Sequence, residues 1–388
     1  MNQAVENDKK SRWLDIVKRV GRWTWVIVSW IVAAMTILAA QGGRFNPDWS
    51  TLPALLAMTF PAWFLGNLII GIINIFHNRI AAAGAGVALL LSLGAFWTFC
   101  PLNFFNGSLS AEERARSFSF MSFNAYLWED SDSIYPAQGN RSASFIINSG
   151  VDIACLQEAT PWEPRLHRSL TQAQLDSIDS IYPYSNYGNP VCHIISKYPL
   201  RNIPIRQHPS QYCGFSAAEI DIKGEKVVFI SVHLESIGLP DEDKTNFIEM
   251  TEGSADVNWR SASGTYYRKL SHAFRVRAEQ ARMMRHTLDS LQSLGHKNII
   301  LSGDFNDIGD CYAMRVISGG SMKNAYSRAG LGPVVTYHAN RFYFNIDHIL
   351  YQGDLEIADI SHGSETCSDH YPVFATFLLT DPAIKPNQ

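Results

Sequence analysis

Charge is nearly missing from the first quarter of this chain. Arg22 and Arg44 bracket 21 residues without an Asp, Glu, Lys or Arg, Asp48 and Arg79 bracket 30 more, and after Arg79 none appears until Glu112. Up to residue 105 the charged residues are Lys9, Lys10, Arg12, Lys18, Arg19, Arg22, Arg44 and Arg79 against Glu6, Asp8, Asp15 and Asp48, a formal +4. The rest of the chain holds 24 basic and 32 acidic groups, a formal −8. Cysteine is scarce too. Cys100, Cys155, Cys192, Cys213, Cys311 and Cys367 show no C-x-x-C spacing, which excludes a thiolate zinc cluster and a small disulfide scaffold. Five of the six lie beyond the apolar region, so at least one is free or pairs outside the chain. Internal repeats and low-complexity tracts are absent. With 46% hydrophobic and 18% charged residues, the chain is not a disordered one.

The uncharged runs read as membrane spans. A bilayer core takes about 20 mostly apolar residues per helix. A charge at its centre costs roughly 2.5–3.5 kcal/mol, whereas each Leu, Ile, Phe or Val returns about 0.3–0.6. Three spans are expected, near residues 23–41, 52–76 and 80–100. The second contains Pro53, Pro61, Asn67 and Asn74, and its amides need partners on neighbouring spans. Trp23, Trp25, Trp30 and Trp97 suit an interfacial aromatic belt. Six Lys or Arg precede the first span, so the positive-inside rule places the tail in the cytoplasm and, after three crossings, residues beyond about 101 on the other face. A signal peptide cut near Ala39-Ala40 is the rival reading; it leaves the chain tethered by two spans. The expected segments are a basic cytoplasmic tail (1–22), a three-span anchor (23–102), a connector (103–115), a catalytic domain (116–380) and a short tail (381–388).

Beyond Arg116, short β-rich runs alternate with helical stretches, the signature of an α/β domain. Strands are expected at 117–123, 152–157, 191–196, 214–222, 226–233, 298–302, 345–351 and 372–379. Lys223-Gly224-Glu225 reads as a hairpin turn. Residues 265–295 read as a helix whose Arg and His lie on a solvated face, and 238–264 as a loop or insertion. Polar residues follow the apolar runs in a regular way: Asn124, Glu158, His233, and Asp304 with Asn306 come at carboxyl ends. Asp347 and Asp369-His370 come instead at or before the start of their runs. Strands of opposite direction would bring both sets to one sheet edge, where open α/β sheets bind ligands.

Carboxylates meeting at such an edge repel by about 4 kcal/mol at 4 Å and an effective dielectric of 20. A cation, a shared proton or a basic partner must offset this. Carboxylates and amides are hard oxygen ligands suited to Mg²⁺, with Mn²⁺ as the alternative ion, and ill suited to zinc. His370 beside Asp369, with Asp347 as its partner, and His233 at the end of its strand suit acid–base or electrostatic roles.

These residues lie in seven pieces: Met121-Ser122-Phe123-Asn124, Cys155-Leu156-Gln157-Glu158, Ile194 to Pro199, Val232 to Ser236, Gly303-Asp304-Phe305-Asn306, Ile346 to Leu350 and Ser368 to Pro372. In this order they resemble the endonuclease/exonuclease/phosphatase (DNase I-like) family over about residues 121–375. The resemblance implies a four-layer α/β sandwich of two mixed β-sheets flanked by helices, here preceded by three transmembrane helices. It implies Mg²⁺ held chiefly by Glu158, with Asn124 and Asp369 nearby. Asp304 would orient or deprotonate the attacking water, and Asn306 would bind phosphate. His370, paired with Asp347, would act as acid–base or stabilise the pentacovalent phosphorus. His233 would contact phosphate or assist the leaving group.

The expected protein is a membrane-anchored, extracytoplasmic, Mg²⁺-dependent phosphoesterase. Its phosphate-ester substrate could be a nucleic acid, a phospholipid or sphingolipid head group, or a small ester. The negative second part disfavours nucleic acid, whose binding rests largely on Lys and Arg. The contrasting expectation, an inactive membrane-anchored binding module, is disfavoured by the completeness of the polar set.

Overall fold

The computed structural model describes residues 2–104, 107–128, 139–159, 170–186, 189–210, 213–238, 245, 248 and 259–380. Two compact units emerge, Met1–Phe45 with Leu52–Trp97, and Asn46–Thr51 with Thr98–Gln388.

The first unit is helical: α1 (Asn2–Gln41), α2 (Leu52–Met58), α3 (Phe60–His77), α4 (Arg79–Leu91) and α5 (Leu93–Phe99). Stretches Arg12–Arg44 and Phe60–His77 are long and apolar enough to cross a membrane, and α4 with α5, bent by 57°, makes a third if the pair is one span. Helix α1 continues without a break through the expected tail, since that stretch contains no proline. The expected second span is instead two helices. Its break falls before Pro61, a residue suited to a helix's first turn because its missing N–H needs no partner there. At the α4–α5 bend the Ser92 hydroxyl donates to the Ala88 carbonyl at 2.7 Å, a back-bond that bends helices. Both interior amides are buried and partnered. Asn67 Nδ2 donates to Ala85 O at 3.1 Å, Asn74 Nδ2 donates to Ser29 Oγ at 2.9 Å, and Trp25 Nε1 donates to Asn74 Oδ1 at 3.0 Å.

The second unit contains β1 (Ser117–Asn124), β2 (Ile153–Gln157), β3 (Tyr184–Asn186), β4 (Cys192–Ser196), β5 (Leu200–Ile203), β6 (Gly214–Ile222), β7 (Glu225–His233), β8 (Asn298–Asp304), β9 (Lys323–Asn324), β10 (Asp347–Gln352), β11 (Leu355–His362) and β12 (Val373–Leu379). They form two six-stranded mixed sheets, ordered β11-β12-β1-β2-β4-β3 and β5-β6-β7-β8-β10-β9. The helices are α6 (Ala111–Arg116), α7 (Arg141–Asn148), α8 (Gln172–Ile181), α9 (Trp259–Ser293), α10 (Tyr312–Ser318) and α11 (Ala325–Ala329).

Three apolar layers make this the expected four-layer sandwich. Phe118, Phe120, Ile153, Ala218, Phe229 and Ile300 pack between the sheets. Met121, Phe123 and Leu156 alternate to the outer face, against Ile146 and Ile178 of α7 and α8. Val228, Ile230 and Leu301 pack on Met284 and Leu288 of α9. Burial of both faces explains the near-continuous apolar runs. Phe229, between the rings of Phe118 and Phe120, anchors the middle layer; truncation to Ala would cost about 3–5 kcal/mol.

Strands β3, β5, β9 and β11 were not among the expected ones. Part of the expected connector is α6, which a Ser110–Glu113 capping box starts. Most of the expected insertion at 238–264 lies outside the described residues, but its last six positions belong to α9, which begins at Trp259.

Candidate active site

Strand direction assembles the site. β1 and β2 run parallel, as do β7 and β8, so Asn124, Gln157, His233 and Asp304 all end their strands at one edge. β10 runs antiparallel to β8 and β12 antiparallel to β1, so the starts of β10 and β12 reach the same edge. His233 lies opposite Asp304 across the β7–β8 ladder, and Asp347 lies opposite Asp304 across β8–β10. Close approach of β7 and β8 requires Gly303, at φ 146°, where a Cβ would collide with the Val232 carbonyl. Glu158 (φ 47°) and Asn306 (φ 52°) occupy left-handed backbone, which costs a non-glycine residue about 1–2 kcal/mol and collects at functional sites.

All eight expected residues lie along this rim. Asn124 Nδ2 donates to Glu158 Oε1 at 3.2 Å and to Asp304 Oδ2 at 3.1 Å, while its Oδ1 accepts the Tyr126 N–H at 3.0 Å. Its amide nitrogen therefore faces the carboxylates. His233 Nε2 stands 3.2 Å from Glu158 Oε1 and 3.6 Å from Asp304 Oδ2. His370 Nδ1 donates to Asp347 Oδ2 at 2.8 Å, and its Nε2 is 3.6 Å from Asp304 Oδ2. Asn306 Nδ2 donates to Leu234 O at 3.0 Å and approaches His233 Nε2 at 3.4 Å. Asp369 stands at the margin, its Oδ1 4.0 Å from His370 Nε2.

The charges respond to these neighbours. Burial would raise the Glu158 carboxyl, but His233 and Asn124 outweigh it and hold the pKa at about 2. Burial raises Asp304 to about 6 against the pull of His370. Burial opposes a charge on His233, yet Glu158 and Asp304 raise its pKa. Burial likewise opposes a charged His370, and Asp347 with Asp304 lifts it well above the usual imidazole value. The carboxylates of the pocket thus favour the charged form of both imidazoles.

The carboxylate oxygens gathered here suit a hard divalent cation. Among the described residues, Glu158, His233 and Asp304 offer ligand atoms within 4.8 Å of one another, as do Asp304, Asp347 and His370. Asp304 belongs to both groups and Asp369 to neither.

Several supporting residues lie outside the eight expected ones. Ser368 Oγ donates to Asn124 O at 2.7 Å, tying the β12 approach to the end of β1. Thr336 Oγ1 accepts the Ile346 and Asp347 N–H groups at 3.0 and 3.1 Å. The Tyr337 ring meets His370 edge-on at 5.0 Å. His338 stacks on Tyr371 at 4.1 Å and donates its backbone N–H to Asp369 O at 3.1 Å. One expectation fails: Arg277, assigned to a solvated helix face, is 1% exposed. Its side chain turns inward to Asp307, with Nε and Oδ2 3.7 Å apart.

Residues 121–370 match the Endonuclease/Exonuclease/phosphatase family. Similar solved structures include truncated Caenorhabditis elegans TDP2, with 19% identity, a TM-score of 0.47 and coverage of 68% of this chain and 98% of that one. An endonuclease/exonuclease/phosphatase family protein from Bacteroides thetaiotaomicron has 15% identity and a TM-score of 0.42, over 70% and 98% of the two chains. TDP2 of D. rerio, crystallised with a single-strand DNA product, has 15% identity and a TM-score of 0.43, over 67% and 98%. No curated protein matches the sequence.

Proposed function

The chain belongs to the endonuclease/exonuclease/phosphatase family, and we propose that it is a membrane-anchored, metal-dependent phosphoesterase that cleaves a phosphodiester or phosphomonoester by water attack. The observation that carries this reading is the position of Asp304, a buried carboxylate shared by the imidazoles of His233 and His370 at 3.6 Å each.

Mg²⁺ or Mn²⁺ would be held chiefly by the Glu158 carboxylate, which Asn124 orients through its amide nitrogen, with Asp369 at the margin, and would supply charge neutralisation for the phosphoryl oxygens. This chain's own side chains account for the rest. Asp304, with its pKa raised to about 6, is ionised at neutral pH yet basic enough to orient water and take its proton. His370, kept cationic by Asp347, faces the same point and stabilises negative charge developing on phosphorus oxygens. His233 and Asn306, side by side, bind the phosphate, and His233 can donate a proton to the departing oxygen.

The apolar helices anchor the protein in a bilayer. Asn46–Thr51 belongs to the catalytic unit: Asp48 pairs with Arg282 at 3.0 Å, and Thr51 Oγ1 lies 2.8 Å from Ser271 Oγ. A connector following one crossing and a domain following three share one face of a membrane, whereas two crossings would separate them. This supports three crossings and, with the basic N-terminal tail, an extracytoplasmic catalytic domain.

The detergent-solubilised full chain should hydrolyse bis-p-nitrophenyl phosphate or p-nitrophenyl phosphate with Mg²⁺ and stop on adding EDTA. Turnover that survives chelation would refute the metal, and no turnover of either ester or of nucleic acid would refute the enzyme. A reporter fused at the C-terminus should be active only outside the cytoplasm.

A further inference from the structure

The loops that end β7 and β8 carry His233, Asp304 and Asn306, and they are bonded to each other. Leu234 N–H donates to Asp304 O at 2.9 Å, and Asn306 Nδ2 returns a bond to Leu234 O at 3.0 Å. Both loops also rest on one helix. Residues 277 and 280 lie three positions apart in α9, hence on the same face, and both are buried. Gln280 Oε1 accepts the Glu235 N–H at 2.9 Å, and its Nε2 approaches Glu235 Oε2 at 3.4 Å. One turn away, Arg277 pairs with Asp307, both side chains being nearly inaccessible to solvent, at 2% and 6% exposure. Asp307 directly follows Asn306, and its Oδ1 accepts the Ile308 N–H at 2.9 Å.

We propose that Arg277 and Gln280 are positioning residues that clamp the two phosphate-handling loops onto α9, fixing His233 and Asn306 for the reaction. A buried cation is costly unless a fixed anion faces it, and among the described residues neither Nε nor Nη2 of Arg277 has a hydrogen-bond partner. Asp307 is therefore held by charge at a defined place, and the left-handed backbone of Asn306 beside it is held with it. Gln280 fixes the other loop two residues past His233. Neither side chain touches the reacting atoms; each acts through the loop it holds. The proposal rests on the phosphoesterase reading for its kinetic consequence but not for its structural one.

Two variants of the full chain test it. Gln280→Met keeps the shape of the side chain and removes both bonds to Glu235. Arg277→Met combined with Asp307→Leu exchanges the ion pair for apolar groups, a change often tolerated by the fold. Each should keep a wild-type Mg²⁺ requirement and a KM within about twofold of wild type while kcat falls ~10²-fold, the scale of an ångström-size misplacement. The Glu235 amide should exchange its hydrogen faster in Gln280→Met, a readout independent of turnover. Wild-type kcat in Gln280→Met, with or without a folded double variant, overturns the proposal. So does an unchanged Glu235 exchange rate, and that result stands even if the wild type proves to cleave no phosphate ester.

Discussion

Asp304 and Asp347 face each other across the β8–β10 ladder, yet they have opposite relations to His370. Asp347 accepts the Nδ1–H at 2.8 Å, while Asp304 looks at Nε2 from 3.6 Å. Asp347 holds the ring by its Nδ1–H; Asp304 faces the opposite nitrogen while accepting from the Asn124 amide at 3.1 Å and the Asn306 N–H at 2.7 Å.

Asp347→Asn should therefore shift the pH profile without abolishing binding. His370 has its pKa raised with Asp347 as the chief favourable cause, so removing that anion lets the imidazolium lose its proton at lower pH. The basic limb of kcat should move to lower pH, with a loss of at least about 10²-fold on the alkaline side. His370→Ala should cost as much at every pH, and the double variant little more, because the two act as a unit. Steady-state rates from pH 5 to 9 check this.

Glu158→Gln should weaken the metal site. The amide keeps the shape but loses the charge, and it no longer favours the charged form of His233 3.2 Å away. The Mg²⁺ concentration giving half-maximal activity should rise by at least about tenfold, on the scale of altered metal-site residues. Calorimetric titration of Mg²⁺ into the variant measures the same loss without turnover.

The site was largely legible in the sequence because topology places chemistry. Polar residues at the ends of some apolar runs and the starts of others demand opposed strands with a common edge, and His233, Asp304 and Asp347 do lie in register there. What stayed hidden depends on tertiary partners. Arg277 looks like any exposed helix cation until Asp307, far along the chain, is seen opposite it. Thr336 matters only for the two N–H groups brought to its hydroxyl. The missed strands are of the kind that propensity describes worst: β3, β5 and β11 are sheet edges, and β9 has two residues. Edges are often short or charged, as in the Asp359-bearing β11 with its register shift.

Asn74→Ala should loosen the membrane unit. It removes the acceptor for Trp25 Nε1 and the donor to Ser29 Oγ. Interhelical side-chain bonds of this kind contribute about 0.6–2 kcal/mol. A loss of about 1–3 kcal/mol is expected from two bonds in unfolding titrations in detergent micelles; no measurable change would mean that these bonds contribute nothing there.

Acid should destabilise the catalytic domain through His193. This residue sits opposite Leu156 in the β2–β4 ladder and is fully buried. Burial drives its pKa down to about 4 from 6.5, against a weaker upward pull at Asn189. Unfolded, the imidazole titrates near 6.5, so between the two values the unfolded chain binds the extra proton and the folded one does not. The contribution of His193 must then fall as pH drops from about 6.5 towards 4 and level off below, by about 3 kcal/mol for a shift of this size. His193→Gln, which cannot titrate, should flatten that part of the pH–stability curve even if it lowers the curve as a whole. Denaturant midpoints at pH 4, 5, 6 and 7 in EDTA separate the two effects, because a lost contact displaces every point equally whereas a lost proton changes the slope.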